Sequence, residues 1–368
     1  MNKNILAIAI AAAVAAPSAF AAATVYGLAH VGVASQDDGV QSSTSIMSNS
    51  SRLGVKGSED LGAGLKAVFQ IETTVNFDGE KAAANSVGAT TNESGIGGSL
   101  RNTFAGIGGG FGTVLLGRHD SPIKLVGRKF DLFGDQIGNA RSITGANGTG
   151  GLIDGRHNNV LAYQSPKFSG FEVLAAYVPG AGFDNEQNSK QANKADAMSI
   201  NLMGDMGNFG LGLGYITIGK TATGTLTNNF NAVKVGASYK MGAAQFVANY
   251  QNDNGAKAAG GTGTRDVYGL GASYKVTAAG TVKAQYYMVG DNGKTDKTGG
   301  TLLNIGYDHA MSKNTTAYVN YAMATNEDAG NLSVNAASAG ASENFAATTV
   351  GGKAKDNSAF AVGLIHKF

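Results

Sequence analysis

The sequence predicts an all-β chain, a transmembrane antiparallel up-and-down β-barrel of about sixteen strands. Three observations predict it. Apolar and polar residues alternate with a period of two in segment after segment, the period of a strand and not of a helix. About sixteen such segments can be counted, mostly near the ~9–11 residues that a tilted membrane strand needs. The connections between them alternate between tight turns and long polar loops, as in a barrel that crosses a bilayer.

The chain opens with "MNKNILAIAIAAAVAAPSAFA". Lys3 in a short basic start, an apolar stretch from Ile5 to Ala16 and the small-x-small triplet Ala19-Phe20-Ala21 predict a secretory signal peptide over residues 1–21. The mature chain is then a single domain over 22–368 with Ala22 first. No later segment approaches the ~18 apolar residues of a membrane helix. There is no Cys, so nothing staples the fold covalently although export would permit disulfides. The formal charge of +2 includes Lys3, which leaves the mature chain nearly neutral and unlike a nucleic-acid binder. With 55 Gly, 4 Pro and no Trp, the chain is neither helix-rich nor punctuated by proline.

"LKAVFQIETTVNF" shows the pattern most clearly. Leu65, Ala67, Phe69, Ile71, Thr73, Val75 and Phe77 share one row, while Lys66, Val68, Gln70, Glu72, Thr74 and Asn76 occupy the other, mostly polar one. The same division recurs in "NAVKVGASYKM", "TRDVYGLGASYKV", "TVKAQYYMV" and "TTAYVNYAMA". Strands are predicted to begin near Thr24, Ser51, Leu65, Arg101, Thr113, Arg156, Phe171, Ala197, Phe209, Asn229, Ala244, Thr264, Thr281, Gly300, Thr315 and Ser358. The short turns are "SEDLGAG", "GGGFG", "SPKFSG", "GDMGN", "KMGA", "TAAG" and "MSKN", built from Gly, Pro, Asn and Ser. The long loops include Asp78 to Leu100, Pro179 to Asp196, Asp253 to Gly263 and Asn326 to Asn357. A soluble sandwich would bury the apolar rows against each other but would leave edges to protect. A closed barrel has none, and its polar row lines a hydrated lumen.

The segments "SSRLGVKGSEDLGAGLKAVFQIE", "RNTFAGIGGGFGTVLLGRHDSP", "DGRHNNVLAYQSPKFSGFEVLAAY" and the terminal "GLIHKF" resemble the general porins of Gram-negative outer membranes, in their betaproteobacterial branch. The resemblance covers essentially the whole mature chain. It implies sixteen strands with short periplasmic turns and long extracellular loops. It also implies a homotrimer set in outer-membrane lipid and lipopolysaccharide, and a third loop, about His119 to Leu152, folded into the lumen as a constriction. Arg52, Arg118 and Arg156 match the basic cluster on the pore wall, and Asp131 and Asp135 of "FDLFGD" match the acidic residues facing it. The resemblance also implies that the terminal aromatic strand, ending on Phe368, is the signal read by the outer-membrane assembly machinery.

Such a site works without turnover or cofactor. Arginine stays protonated at any working pH, so one wall is held positive and the loop negative across a narrow gap. The Debye length near physiological salt is ~8 Å, so wall charge still biases which ions enter. The third loop carries Lys124, Arg128, Lys129 and Arg141 against Asp120, Asp131 and Asp135, which leans towards weak anion preference. Passive diffusion of ions and small hydrophilic solutes is therefore the expected function.

Two alternatives belong to other classes. A channel specific for one small anionic solute would use the inward Lys66, Lys234, Lys240, Arg265, Lys275 and Lys283 as a ladder. An enzyme inside a barrel would need a nucleophile and a positioned base. None of His30, His119, His157, His309 and His366 sits in a hydrolase signature, and no metal spacing is present. "GLGLGY" lacks the helix and lysine of a phosphate loop, so its glycines are read as small strand residues. The last strand is expected to pair with "TVYGLAHVGVA", with Phe360, Val362, Leu364 and Phe368 outward and His366 near the headgroups.

Overall fold

The structure is a computed structural model that describes residues 23–78, 96–144, 153–180, 196–219, 229–254, 263–293, 295–334 and 347–368. The segment read as a signal peptide lies outside the described residues. Eighteen strands form one antiparallel sheet, and two crossings are each made by a pair of strands in line, so the sheet crosses sixteen times. In chain order these are β1 (Thr24–Asp37), β2 (Ser42–Ser48 and Arg52–Gly62), β3 (Leu65–Val75), β4 (Ile96–Leu100 and Thr103–Gly109), β5 (Gly112–Asp120), β6 (Arg156–Gln164), β7 (Phe171–Val178) and β8 (Ala197–Met206). Then follow β9 (Phe209–Ile218), β10 (Phe230–Met241), β11 (Ala244–Asp253), β12 (Arg265–Lys275), β13 (Gly280–Val289), β14 (Gly300–Ala310), β15 (Thr315–Asn326) and β16 (Asn357–Lys367). Two short helices, α1 (Pro122–Lys129) and α2 (Arg141–Thr144), lie in the third loop.

Closure follows from the ends. β16 pairs with β1 from Leu28↔Lys367 to Asp37↔Ser358, and on its other side with β15. Every strand of the barrel therefore has two neighbours, which removes the unpaired edge that lipid does not tolerate. Phe368 continues the ladder beyond β16: its N–H and carbonyl both bond Gly27, and its ring lies where a side chain at position 27 would be. The outward row carries the expected apolar residues, among them Phe360, Val362 and Leu364, all exposed on the isolated barrel. His366 ends that row with Nδ1 bonded to Thr315 Oγ1 at 2.9 Å and its ring stacked on Phe368.

The predicted strand starts fall within a residue or two of the observed ones, with two informative exceptions. The second crossing begins at Ser42, not near Ser51, and is broken at residues 49–51; the fourth begins at Ile96, inside what reads as loop, and is broken at residues 101–102. At the first break Ser50 has a left-handed φ of 54°, and the Ser51 hydroxyl replaces the ladder by accepting from His30 N–H (2.9 Å) and donating to its carbonyl (3.0 Å). At the second, Arg101 N–H bonds the Glu72 carbonyl at 2.8 Å. Breaks of this kind re-aim side chains in a sheet. Here they present Arg52 and Arg101 to the lumen. The loop between β15 and β16 likewise holds a hairpin, Thr349–Val350 paired with Lys353–Ala354.

Candidate functional site

The third loop, between β5 and β6, lies inside the barrel, and the sequence of the wall explains how it fits. Along β9 the inward row is Gly210, Gly212, Gly214, then Ile216, and β10 adds Gly236. The glycines leave a trough for α1. Ile123 and Val126 pack against Gly214, and the Phe130 ring fills the space over Gly212 and Gly236, where any Cβ would overlap it. "GLGLGY" is thus a seat for a helix. Pro122 suits the first turn of α1, and Arg128 and Lys129 suit its last turn, where the helix dipole favours cations.

Beyond α1 the far wall grips the loop through its backbone. Asn249 and Gln285 donate to the Phe130 carbonyl, Lys283 to the Leu132 carbonyl, and Asn304 and Asn320 to the Ile137 carbonyl, at 2.6–3.4 Å. Three cations of this wall each have a carboxylate partner among the described residues. Lys234 meets Asp154 at 2.6 Å, Arg265 meets Asp253 at 3.0 Å, and Lys283 meets Asp308 at 2.8 Å.

Across from this wall the stoichiometry differs. Three carboxylates are each shared by two cations: Glu72 by Arg101 (2.6 Å) and Arg52 (3.8 Å), Asp120 by Lys124 (2.7 Å) and Arg156 (2.9 Å), Asp135 by Arg128 (2.9 Å) and Arg141 (3.5 Å). Within each trio one cation is more buried than the other. Side-chain exposure is 10, 3 and 10 % for Arg101, Lys124 and Arg141, against 23, 13 and 29 % for Arg52, Arg156 and Arg128. Each trio holds two cations against one carboxylate, so among the described residues each carries one surplus positive charge. Arg52, Arg128 and Arg156 are the more exposed members and stand nearest the water. In the loop, the two arginines hold the Asp135 carboxyl well below the usual carboxylate range, and Asp135 in turn raises Arg128.

Arg52, Arg156 and Asp135 each belong to one of these trios; Asp135 also accepts from Ser50 of the wall, two residues from Arg52, at 3.1 Å. Arg118 is not brought into this group. It stands at a break in the ladder between Gly117 and His119, and its guanidinium donates to the Leu100 carbonyl (2.8 Å) and Asn158 Oδ1 (2.5 Å), with no carboxylate of the cluster as ion-pair partner among the described residues. Asp131 does not face the arginines either. Its carboxylate accepts from the N–H groups of Phe133 and Ala140, both at 2.9 Å, and so folds the loop on itself; burial pushes its carboxyl up. Sequence reasoning missed Arg101, Arg128 and Arg141 as partners in the cluster. For Arg101 the "RNTF" segment was visible, but the strand break that turns it inward was not.

A family model described as Gram-negative porin matches residues 7–329. The chain belongs to the Gram-negative porin family. Outer membrane porin protein 32 of Delftia acidovorans is 32% identical over 348 residues, covering 91% of this chain and 93% of that one. The solved structure of an anion-selective porin from Comamonas acidovorans superimposes with a TM-score of 0.75 at 27% identity, over 94% of this chain and 99% of the other. Vibrio cholerae OmpT, solved in a trimer form, shares the fold at 19% identity and a TM-score of 0.63, over 94% of this chain and 99% of that one. This porin is accordingly an outer-membrane protein of the betaproteobacterial type, a passive channel for ions and small hydrophilic solutes, and its relatives are channels, not enzymes.

Proposed function

We propose that this porin is a general diffusion channel with a preference for anions, working as a homotrimer without cofactor or turnover chemistry. The observation that carries the preference is the two-to-one ratio of cations to carboxylates, with the surplus on the hydrated side. A fixed cluster of charge in a gap comparable to the Debye length enriches counter-ions without binding them tightly. The anion selectivity of the Comamonas porin agrees with this direction. A ladder for one solute is not favoured, because Lys234, Arg265 and Lys283 are each committed to a carboxylate or to the loop backbone. Arg52, Arg156 and Asp135 remain the proposed constriction residues, with Arg128 added and Arg118 and Asp131 assigned to bracing. We further propose export through a leader ending at Ala21, contact of the outward row with lipid and lipopolysaccharide, and recognition of the Phe368 strand by the assembly machinery. The deciding experiment is the zero-current potential of purified channels across a tenfold KCl gradient. A sign reporting chloride preference is expected, and a cation-preferring sign would overturn the proposal.

A further inference from the structure

A second extracellular loop reaches the constriction. The loop between β15 and β16 turns inward at residues 330–334 and stands against the C-terminal limb of the third loop. Leu332 and Val334 are fully buried there, among Ile137, Ile143, Ala324 and Ala359. The polar contacts are more specific. The Val334 carbonyl accepts from Gly138 N–H at 2.6 Å and from Ser142 Oγ at 3.4 Å. Two asparagines at the rims of the flanking strands hold this segment. Asn357 donates to the Leu332 carbonyl at 2.8 Å and accepts from Val334 N–H at 2.9 Å. Asn326 donates to the same carbonyl at 3.0 Å and accepts from Leu332 N–H at 2.7 Å.

Gly138 shows that the fit is close. Its φ is +66°, and a side chain there would press on Asn304 and Ala322. The limb is thus clamped on two sides, the Ile137 carbonyl by Asn304 and Asn320 of the wall and the Gly138 N–H by Val334.

We propose that residues 332–334 are a positioning strap for the pore: Asn326 and Asn357 hold it, and it holds the third loop at the position that sets the open-channel conductance. The aperture is then fixed by two loops, one of which braces it through the uncharged residues 332–334. The inference is independent of ion preference. Leu332, Val334, Asn326 and Asn357 carry no charge, and loosening them moves the loop without altering the cation count.

The test uses the full-length channel and exploits the absence of cysteine. Asn357→Ala removes one donor and one acceptor from the strap. Losing a buried pair of this kind favours the released state by about tenfold. Single-channel records are expected to show frequent transitions to a second conductance level, with strand content and thermal midpoint of the barrel little changed. Ser142→Cys with Val334→Cys, added to Asn357→Ala, should cross-link on oxidation and return the record to one quiet level; reduction should restore the transitions. The same cysteine pair without Asn357→Ala should cross-link and leave the conductance as in the parent. A quiet, unaltered record from the asparagine variant, or failure of the cysteines to cross-link in folded channels, overturns the proposal.

Discussion

Replacing Arg52 by glutamine isolates one surplus charge. The fold survives the change, because Glu72 keeps Arg101 at 2.6 Å and the Tyr26 hydroxyl at 2.9 Å. The cluster loses one of its three uncompensated charges. For an ion passing at about 7 Å through water, a unit charge contributes about 0.6 kcal/mol before screening. At 0.1 M salt, with a Debye length of ~10 Å, about half of that remains, or ~0.3 kcal/mol. Anion and cation feel it with opposite signs, so the anion-to-cation permeability ratio should fall about threefold. At 1 M salt the Debye length is ~3 Å and the change should shrink to about 1.2-fold. The assay is the zero-current potential across a fixed salt ratio, at low and then high absolute concentration. An unchanged ratio at 0.1 M, or an equal change at both concentrations, would refute the assignment of Arg52 to the ion path.

Four further outcomes are expected. Arg118→Gln should leave the permeability ratio unchanged, because its guanidinium serves Leu100 and Asn158; a shift comparable to that of Arg52→Gln in the same measurement would return it to the cluster. Gly236→Val overpacks the seat of Phe130 at a cost of about 1–3 kcal/mol, so α1 should lift, and conductance should rise with strand content by circular dichroism intact. Asp135 is depressed, so its contribution to holding the loop is complete above the ordinary carboxylate value of about 4 and is lost only as pH falls through the lower folded value. Single-channel records should therefore stay quiet from pH 7 down to about pH 4, and loop release centred above pH 4 would contradict this. Phe368→Ala removes the ring seated over Gly27 and should reduce the yield of folded channels on gels without altering the conductance of those that do form.

The barrel was legible because its alternation is local. Each strand declares an inward and an outward row over ten residues, and closure needs only the two end strands to match. The broken second and fourth crossings were not legible, since Ser51 and Arg101 replace the ladder through contacts with His30 and Glu72, 21 and 29 positions away. Arg52 was legible because its row alternates cleanly, and Asp135 because the loop's position follows from the family pattern. Arg118 was misplaced for a physical reason. Motif position fixes where a residue stands along the strand but not what its side chain meets, and here a break in the ladder between Gly117 and His119 leaves Arg118 bonded to Leu100 and Asn158. The glycines of "GLGLGY" were correctly read as small strand residues, but a sequence contains no sign of the helix that needs their missing side chains.

The two walls of the lumen obey one rule with opposite results. Where Arg265, Lys234 and Lys283 are nearly excluded from water, each has its own carboxylate, because an unpaired charge there would carry an uncompensated desolvation penalty. Where water enters, one carboxylate serves two cations, and the more exposed cation shares that partner and keeps part of its hydration. Selective charge can reside only on that second wall. A porin of this design cannot gain anion preference by adding a cation beneath the loop, where it would need an acid to be buried with it. It can gain or lose preference most freely at Arg52, whose contact with Glu72 is the long one at 3.8 Å while Arg101 keeps that carboxylate paired.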